Sequence, residues 1–102
     1  MMTLSEFKSS LAHSSPPEGL SPALLALWRD AKGDWDRAHK CVDTRSDRDS
    51  MWVHAYLHRK EGDSSNARYW YSRAGCAPAN IPLEQEWALI AADLIAVARG
   101  GK

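Results

Sequence analysis

Two histidines one helical turn apart are the strongest chemical signal in the chain. His54 and His58 lie within the segment Trp52–Asp63, and a separation of four residues places both imidazoles on one face of a helix. Imidazoles at this spacing can chelate zinc or a similar divalent metal. Glu61 extends the same face, and His39 can reach it from the preceding predicted helix. These four side chains are the candidate ligands of a metal site.

A zinc-protease motif is not formed by these histidines. That motif requires a glutamate directly after the first histidine to act as the general base, and here the residue is Ala55. The competing interpretation is structural, with both imidazoles buried, each donating an N–H group to a carbonyl or carboxylate and packing on Trp or Tyr. Because such a pair without further ligands is a weak signal, we favour this interpretation and expect no cofactor.

Other catalytic signatures are also missing from the sequence. The glycines fall only at predicted helix ends, in loops and at the C-terminus, so no P-loop, dinucleotide-binding loop or nucleophile elbow is formed. Cys41 and Cys76 lack the spacing of a redox or zinc motif. The sequence therefore argues against an enzyme, and a small enzyme with a site centred on His54 and His58 is kept as an alternative.

Length and composition indicate one soluble domain covering residues 1–102. The hydrophobic fraction is 44% and the charged fraction 25%, which is typical of a globular protein. Thirteen basic and thirteen acidic residues give a net charge of zero, so charge gives no argument for binding nucleic acid or an anionic membrane. No apolar run approaches a membrane span and no secretory signal is visible. We therefore expect a cytoplasmic protein without nucleic-acid or membrane partners.

Capping and helix-breaking residues divide the chain into five or six helices. Thr3 with Glu6 forms a capping box, Ser21-Pro22 is typical of a helix start, and Ser46 with Asp49 is predicted to cap the fourth helix. The predicted elements are an N-terminal helix over 3–12, a first hairpin over 21–45, a second hairpin over 47–75 and a long C-terminal helix over 83–99. No alternating run is long enough for a strand, so the predicted fold is an all-α compact bundle.

A short internal repeat supports the two hairpins. The four residues of the first copy recur in the second at an offset of 29, as Ala26, Gly33, Asp34 and Ala38 followed by Ala55, Gly62, Asp63 and Ala67. The alanines allow two helices to approach closely, and Gly-Asp forms the tight turn and the next N-cap. The repeat thus predicts two successive α-hairpins built in the same way.

The second copy resembles the tetratricopeptide (TPR) repeat, through Ala55, Gly62-Asp63, Ala67, Tyr71 and Ala74. Residues 20–98 are also similar to a group of small, mainly bacterial, uncharacterised proteins with TPR-like hairpins. This resemblance implies a fold and supplies no activity. The offset of 29 is shorter than the roughly 34 residues of the tetratricopeptide class, and two copies exclude an extended superhelix. The outer helices or a second subunit must therefore cover the exposed hairpin faces.

Aromatic and basic residues are open to two interpretations each. The five tryptophans lie on or beside apolar stripes, so core packing is favoured over an aromatic ligand cage; they are Trp28, Trp35, Trp52, Trp70 and Trp87. Three arginines, Arg59, Arg68 and Arg73, are predicted to converge near Glu61 and Asp63. A solvated ion-pair network is favoured there over a clamp for a carboxylate or phosphate.

The first functional hypothesis is a small module that binds a protein or peptide. The first helices of the two hairpins would line a shallow groove, with five candidate contacts: Trp28, Arg29, His54, His58 and Arg59. The second is a metal-binding protein or small enzyme that uses His39, His54, His58 and Glu61. The third is a homodimer whose aromatic surface is the self-association face.

Overall fold

Six α-helices make up most of the described chain. The computed structural model describes residues 2–100, and their side chains as far as residue 96. The helices are α1 (Leu4–Ser9), α2 (Pro22–Ala31), α3 (Trp35–Val42), α4 (Arg48–Glu61), α5 (Ser64–Ala74) and α6 (Leu83–Gly100), and a 3-10 turn over Ser10–Ala12 extends α1. Residues 2–100 contain no strand. The predicted all-α bundle of five or six helices is confirmed.

Most helices begin at the N-cap residues predicted from the sequence. Thr3 and Glu6 each accept a hydrogen bond from the other's backbone N–H, at 3.1 and 2.8 Å. Ser21 accepts a bond from the Leu24 N–H at 3.2 Å. The predicted cap of α4 was wrong by one residue, because Asp47 and not Ser46 accepts the bond from the Ser50 N–H. A carboxylate accepts a helix N-terminal hydrogen bond more strongly than a hydroxyl does.

Gly-Asp turns join the helices within each pair. Gly62 adopts a left-handed conformation with φ of 91°, which lets the Asp63 N–H bond back to the His58 carbonyl at 2.9 Å. The Asp63 carboxylate then caps α5. Gly33 and Asp34 repeat this arrangement between α2 and α3, with φ of 85° at Gly33. Each dipeptide therefore ends one helix and begins the next.

The central helix is α4, which packs against α2, α3, α5 and α6. Every residue from Ser50 to His58 is buried, because α4 is sandwiched between these neighbours. The four alanines of the repeat are at most 3% exposed, as close helix packing requires.

Among the described helices, none combines the length and apolarity needed to cross a bilayer.

Two buried carboxylates are held by the last turn of α4. Arg59 donates to Glu86 on α6 at 2.8 Å, and the Tyr71 hydroxyl donates to the same carboxylate at 2.5 Å. Lys60 donates to Asp30 on α2 at 2.9 Å. Both carboxylates are at most 3% exposed, so each buried charge has the paired cation that burial demands.

The predicted convergence of arginines on Glu61 and Asp63 was wrong for two of the three. Arg59 is drawn away by the buried Glu86, and Arg73 lies over the rings of Tyr69 and Trp70. A buried carboxylate interacts with a guanidinium more strongly than an exposed one does, because water screens it less. Arg59 therefore pairs with a buried carboxylate that is distant in the sequence and not with the exposed acids near it.

The tryptophans divide into a core set and a set beside the histidines. Trp28, Trp52 and Trp87 are at most 8% exposed. The indole N–H of Trp28 donates to Ser10 at 3.0 Å, and that of Trp87 donates to the Leu27 carbonyl at 2.9 Å. Trp35 and Trp70 are only half-buried and lie against imidazole rings.

The turn at Gly62 provides a test of the hairpin geometry. A Cβ at this position meets no atom within 4 Å, so a substitution is penalised only by the left-handed backbone. Gly62→Ala should lower the free energy of unfolding by about 1–2 kcal/mol in urea denaturation. Gly62→Asn should cost less, since asparagine tolerates this conformation. Equal costs for the two variants would contradict the explanation.

Candidate metal centre

Three histidines from two helices meet in the interior. His39 on α3 faces His54 and His58 on α4, and the Nε2 atoms of His39 and His54 are 3.0 Å apart. One ring nitrogen from each residue lies within 4.8 Å of the other two. The ring centroids are 4.8 to 5.2 Å apart. A single ion could therefore contact all three imidazoles.

Local geometry explains why the three rings converge. His54 and His58 are consecutive turns of one face of α4. The Gly33-Asp34 turn directs α3 back across this face, and the Trp35 indole N–H donates to the Leu57 carbonyl of α4 at 2.9 Å. His39 lies one turn further along α3 and stacks on Trp35, with the planes 8° apart. The hydrogen bond of Trp35 thus sets the position of His39.

Aromatic rings also limit the movement of the second histidine. Trp70 on α5 stacks on His54, with the centroids 4.1 Å apart and the planes 20° apart. Trp35 contacts the edge of His58 at a centroid distance of 6.0 Å. The histidine cluster, defined as His39, His54 and His58, is therefore enclosed by two indole rings.

Carboxylates lie behind two of the imidazoles. The Nδ1 atom of His58 is 2.6 Å from Oε2 of Glu61, and the Nδ1 atom of His39 is 4.0 Å from Asp43. A carboxylate that accepts the Nδ1–H bond leaves Nε2 as a lone pair directed to the opposite side of the ring. In metalloproteins, this carboxylate–histidine pairing orients the ligand and raises its basicity.

His54 is the most constrained member of the cluster. Its side chain is 3% exposed, and its Nδ1 atom is buried without a hydrogen-bond partner. Burial, together with the positive charges that His39 and His58 can carry, lowers the pKa of His54 to about 4. At neutral pH His54 is therefore uncharged, which is the state that binds a metal.

The predicted ligands are distributed unevenly in the structure. His39, His54 and His58 converge, whereas Glu61 lies behind His58 and is exposed. A second grouping of His58 with Glu61 and Asp63 also has its ligand atoms within 4.8 Å. It contains a single imidazole and two exposed carboxylates, and exposed carboxylates are well solvated without an ion. The three-histidine arrangement is the better candidate.

The side chains predicted to line a groove are mostly in the interior. Trp28, His54 and His58 are at most 7% exposed, so a partner cannot contact them in this conformation. Arg29 is half-buried and lies over the Trp28 ring. Arg59 is engaged by Glu86. Burial of these groups follows from the packing of α4 between four other helices.

Sequence reasoning missed the residues around the imidazoles. His39 was recognised as a candidate ligand, but Trp35 and Asp43, four residues before and after it, were not assigned to the site. Their spacing was readable as one helical face. Trp70 carried no such signal, since its contact with His54 depends on how α5 packs on α4.

A separate cleft of about 610 Å³ lies beside α1 and α6. Its polar lining includes Asp30, Tyr56 and Lys60, which bond to one another at 2.9 and 3.0 Å. Burial and the adjacent Asp30 carboxylate raise the pKa of Tyr56 well above its usual range. Because these groups satisfy each other, they present weaker recognition chemistry than the histidine cluster.

The buried His54 should make stability depend on pH. Its pKa is about 4 in the folded protein and about 6.5 in an unfolded chain, so the unfolded state binds more protons between these values. The free energy of unfolding of the metal-free protein should therefore fall by about 2–3 kcal/mol as the pH is lowered from about 6.5 to 4. Urea denaturation at several pH values measures this.

Two variants isolate the contribution of His54. His54→Leu removes the titrating group and should show a smaller loss of stability over the same pH range. His13→Ala alters an exposed histidine and should retain the wild-type dependence. Identical pH profiles for the wild-type and His54→Leu proteins would assign the effect to other groups.

Comparison with known proteins gives no indication of function beyond the geometry of the histidine cluster. No protein-family model matches the chain, and neither a curated protein nor a solved structure is found to be similar to it. The TPR-like assignment therefore stays a prediction, carried by the repeated Ala and Gly-Asp residues. Function has to be argued from the chemistry of the site itself.

Proposed function

We propose that the protein binds one divalent transition-metal ion, for which zinc is the best fit, through His39, His54 and His58. The observation that carries this proposal is the convergence of the three imidazoles, with one nitrogen of each inside 4.8 Å. Imidazole nitrogen suits zinc, copper and nickel, and zinc accepts tetrahedral sites with three histidines. The peptide-binding module expected from the sequence stays an alternative.

The spacing of the nitrogens is close to that of a zinc site. Ligands at about 2.0–2.1 Å from zinc in tetrahedral geometry are roughly 3.3 Å from one another. The Nε2 atoms of His39 and His54 are 3.0 Å apart, and the third nitrogen lies within 4.8 Å. A bound ion would draw the third nitrogen toward the other two, from as much as 4.8 Å to about 3.3 Å.

Supporting contacts favour a metal over a purely structural cluster. The bond between Glu61 and the Nδ1 atom of His58 directs the free nitrogen of that ring away from the carboxylate. His54 is uncharged at neutral pH, so one ligand needs no deprotonation before binding. The rings of Trp35 and Trp70 fix two imidazoles by stacking. Preorganised ligands reduce the entropy lost when an ion binds.

The energetic cost of burying the imidazoles also favours a bound metal. Burying a polar ring with an unpartnered nitrogen destabilises a protein, whereas an apolar side chain of similar volume at that position does not. The Nδ1 atom of His54 is such a nitrogen, on the opposite side of the ring from the Nε2 atom that faces His39. The three buried or half-buried imidazoles therefore contribute little to stability by themselves, and an ion bound at the nitrogens that face one another would supply an interaction that offsets the burial of the rings.

Self-association and peptide binding receive less support from the described surface. Tyr69 and Leu89 are the large apolar side chains with more than half their area exposed among the described residues, at 53% each. They belong to different helices, α5 and α6. Scattered apolar side chains of this kind are normal on a monomer.

Zinc titration of the metal-free protein tests the proposal. Calorimetry should show one equivalent bound with a Kd of about 1 μM or lower, equivalent to roughly −8 kcal/mol or better. His39→Ala and His54→Ala should each weaken binding by more than about 100-fold, since each removes a direct ligand. His13→Ala should bind like the wild type. Binding that is weak, or unchanged in His54→Ala, would refute the metal site.

The His58–Glu61 contact provides a finer test. Glu61→Gln keeps the shape of the side chain and removes the charge that orients His58. Zinc affinity should fall by about 10–100-fold, the range seen for outer-shell partners of metal ligands. Glu84→Gln changes an exposed carboxylate on α6 and serves as the matched control. An affinity unchanged by Glu61→Gln would show that this carboxylate does not support the ligand.

A further inference from the structure

We infer that a metal held by the histidine cluster keeps an open fourth coordination position, where a metal-bound hydroxide hydrolyses small activated carboxylic esters. This inference rests on the proposed metal-binding function. Zinc sites with three protein ligands and one water are the usual catalytic arrangement, whereas closed sites use four protein ligands. The structure has to show that no fourth protein ligand is available and that water can reach the ion.

The nearby carboxylates are placed behind the rings. Glu61 contacts the Nδ1 atom of His58 at 2.6 Å, and Asp43 lies on the Nδ1 side of His39 at 4.0 Å. The two nitrogens of an imidazole point away from each other, so neither carboxylate can bond to Nδ1 and also bind an ion at Nε2. In the described part of the chain, the potential ligands of this ion are the three imidazoles.

The cluster reaches the protein surface through His39. This residue exposes 26% of its side chain, whereas His54 and His58 are buried at 3% and 7%. We therefore assign the open coordination position to the His39 side of the ion. The half-buried rings of Trp35 and Trp70 stack on His39 and His54 and flank the cluster, so a substrate has to be small.

The charge of the ligand set favours an acidic bound water. Three neutral imidazoles leave the full double charge on the ion, whereas thiolate or carboxylate ligands would reduce it. A zinc ion with three histidine ligands lowers the pKa of its bound water from far above neutrality to about 7. The low polarity around Trp35 and Trp70 strengthens the electrostatic effect of the ion on nearby groups.

The reaction follows from these features and needs no redox partner. The metal-bound water releases a proton to buffer, and the resulting hydroxide oxygen forms a bond to the carbonyl carbon while the ion polarises the carbonyl oxygen. The bond from that carbon to the leaving oxygen then breaks, and the leaving group departs with the electron pair and takes a proton from solvent. One water is consumed for each ester. Glu61 is a positioning residue here, because its carboxylate is bonded to the Nδ1 atom of His58.

Cobalt substitution gives a readout that does not depend on activity. The visible spectrum of the Co²⁺-loaded protein should change between pH 6 and 9 as the bound water loses its proton, and azide should alter it by taking the open position. The zinc-loaded protein should hydrolyse p-nitrophenyl acetate at least about tenfold faster than the metal-free protein. The rate should rise with pH along the same titration curve as the cobalt spectrum.

Controls separate the metal reaction from general catalysis by surface groups. His54→Leu with added zinc should hydrolyse the ester no faster than the metal-free protein, and His13→Ala should match the wild type. Circular dichroism establishes that each variant is folded.

The outcomes distinguish the inference from the proposed function. Metal binding that depends on the histidines, together with a cobalt spectrum insensitive to pH and azide, would show a closed site and overturn the inference alone. A cobalt spectrum that responds to pH and azide, without any zinc-dependent hydrolysis of the ester, would likewise overturn the inference. Failure of the wild-type protein to bind either metal would overturn the proposed function as well.

Discussion

Burial of α4 on several sides is the constraint on which the rest of the structure depends. Residues Ser50 to His58 are buried without interruption, and a helix in such a position must find partners inside the protein for every polar side chain it carries. Its last turn does so by ion pairing, where Arg59 bonds to Glu86 and Lys60 to Asp30. Its middle turns carry His54 and His58, whose hydrogen bonding is less complete than that of these ion pairs.

The contrast between these polar groups identifies the site. Both oxygens of Glu86 and both oxygens of Asp30 accept hydrogen bonds, so the buried carboxylates are fully used in holding helices together. Two of the imidazoles bond to each other and the third to Glu61, and the Nδ1 atom of His54, like the Ser50 hydroxyl, has no hydrogen-bond partner. A polar network that is only partly satisfied is costly in a low-dielectric interior. The incomplete network is therefore the part of the fold that stability alone does not explain.

Local chemistry made much of the fold predictable from the sequence. Thr3, Ser21, Asp34 and Asp63 cap helices because their side chains reach backbone N–H groups only a few residues away, and Gly62 ends a helix through its own backbone freedom. Contacts across helices were not predictable in the same way. The pairing of Arg59 with Glu86 spans 27 residues, and nothing in the sequence shows that Glu86 is buried. His39 was recognised as a ligand that could reach His54, but the position of Trp70 depends on packing between helices.

The packing also bears on the relation between the proposed metal site and the fold. The aromatic and aliphatic core includes Phe7, Trp28, Leu57 and Ile90, each at most 1% exposed, and it is built without the histidines. A structural zinc site usually supplies folding energy to a domain that lacks such a core. Here the core and the two ion pairs already join α2, α4 and α6, and the bond from the Trp35 indole N–H to the Leu57 carbonyl joins α3 to α4. The proposed ion would therefore not be needed to hold the helices together, and a site without a structural role does not require a fourth protein ligand.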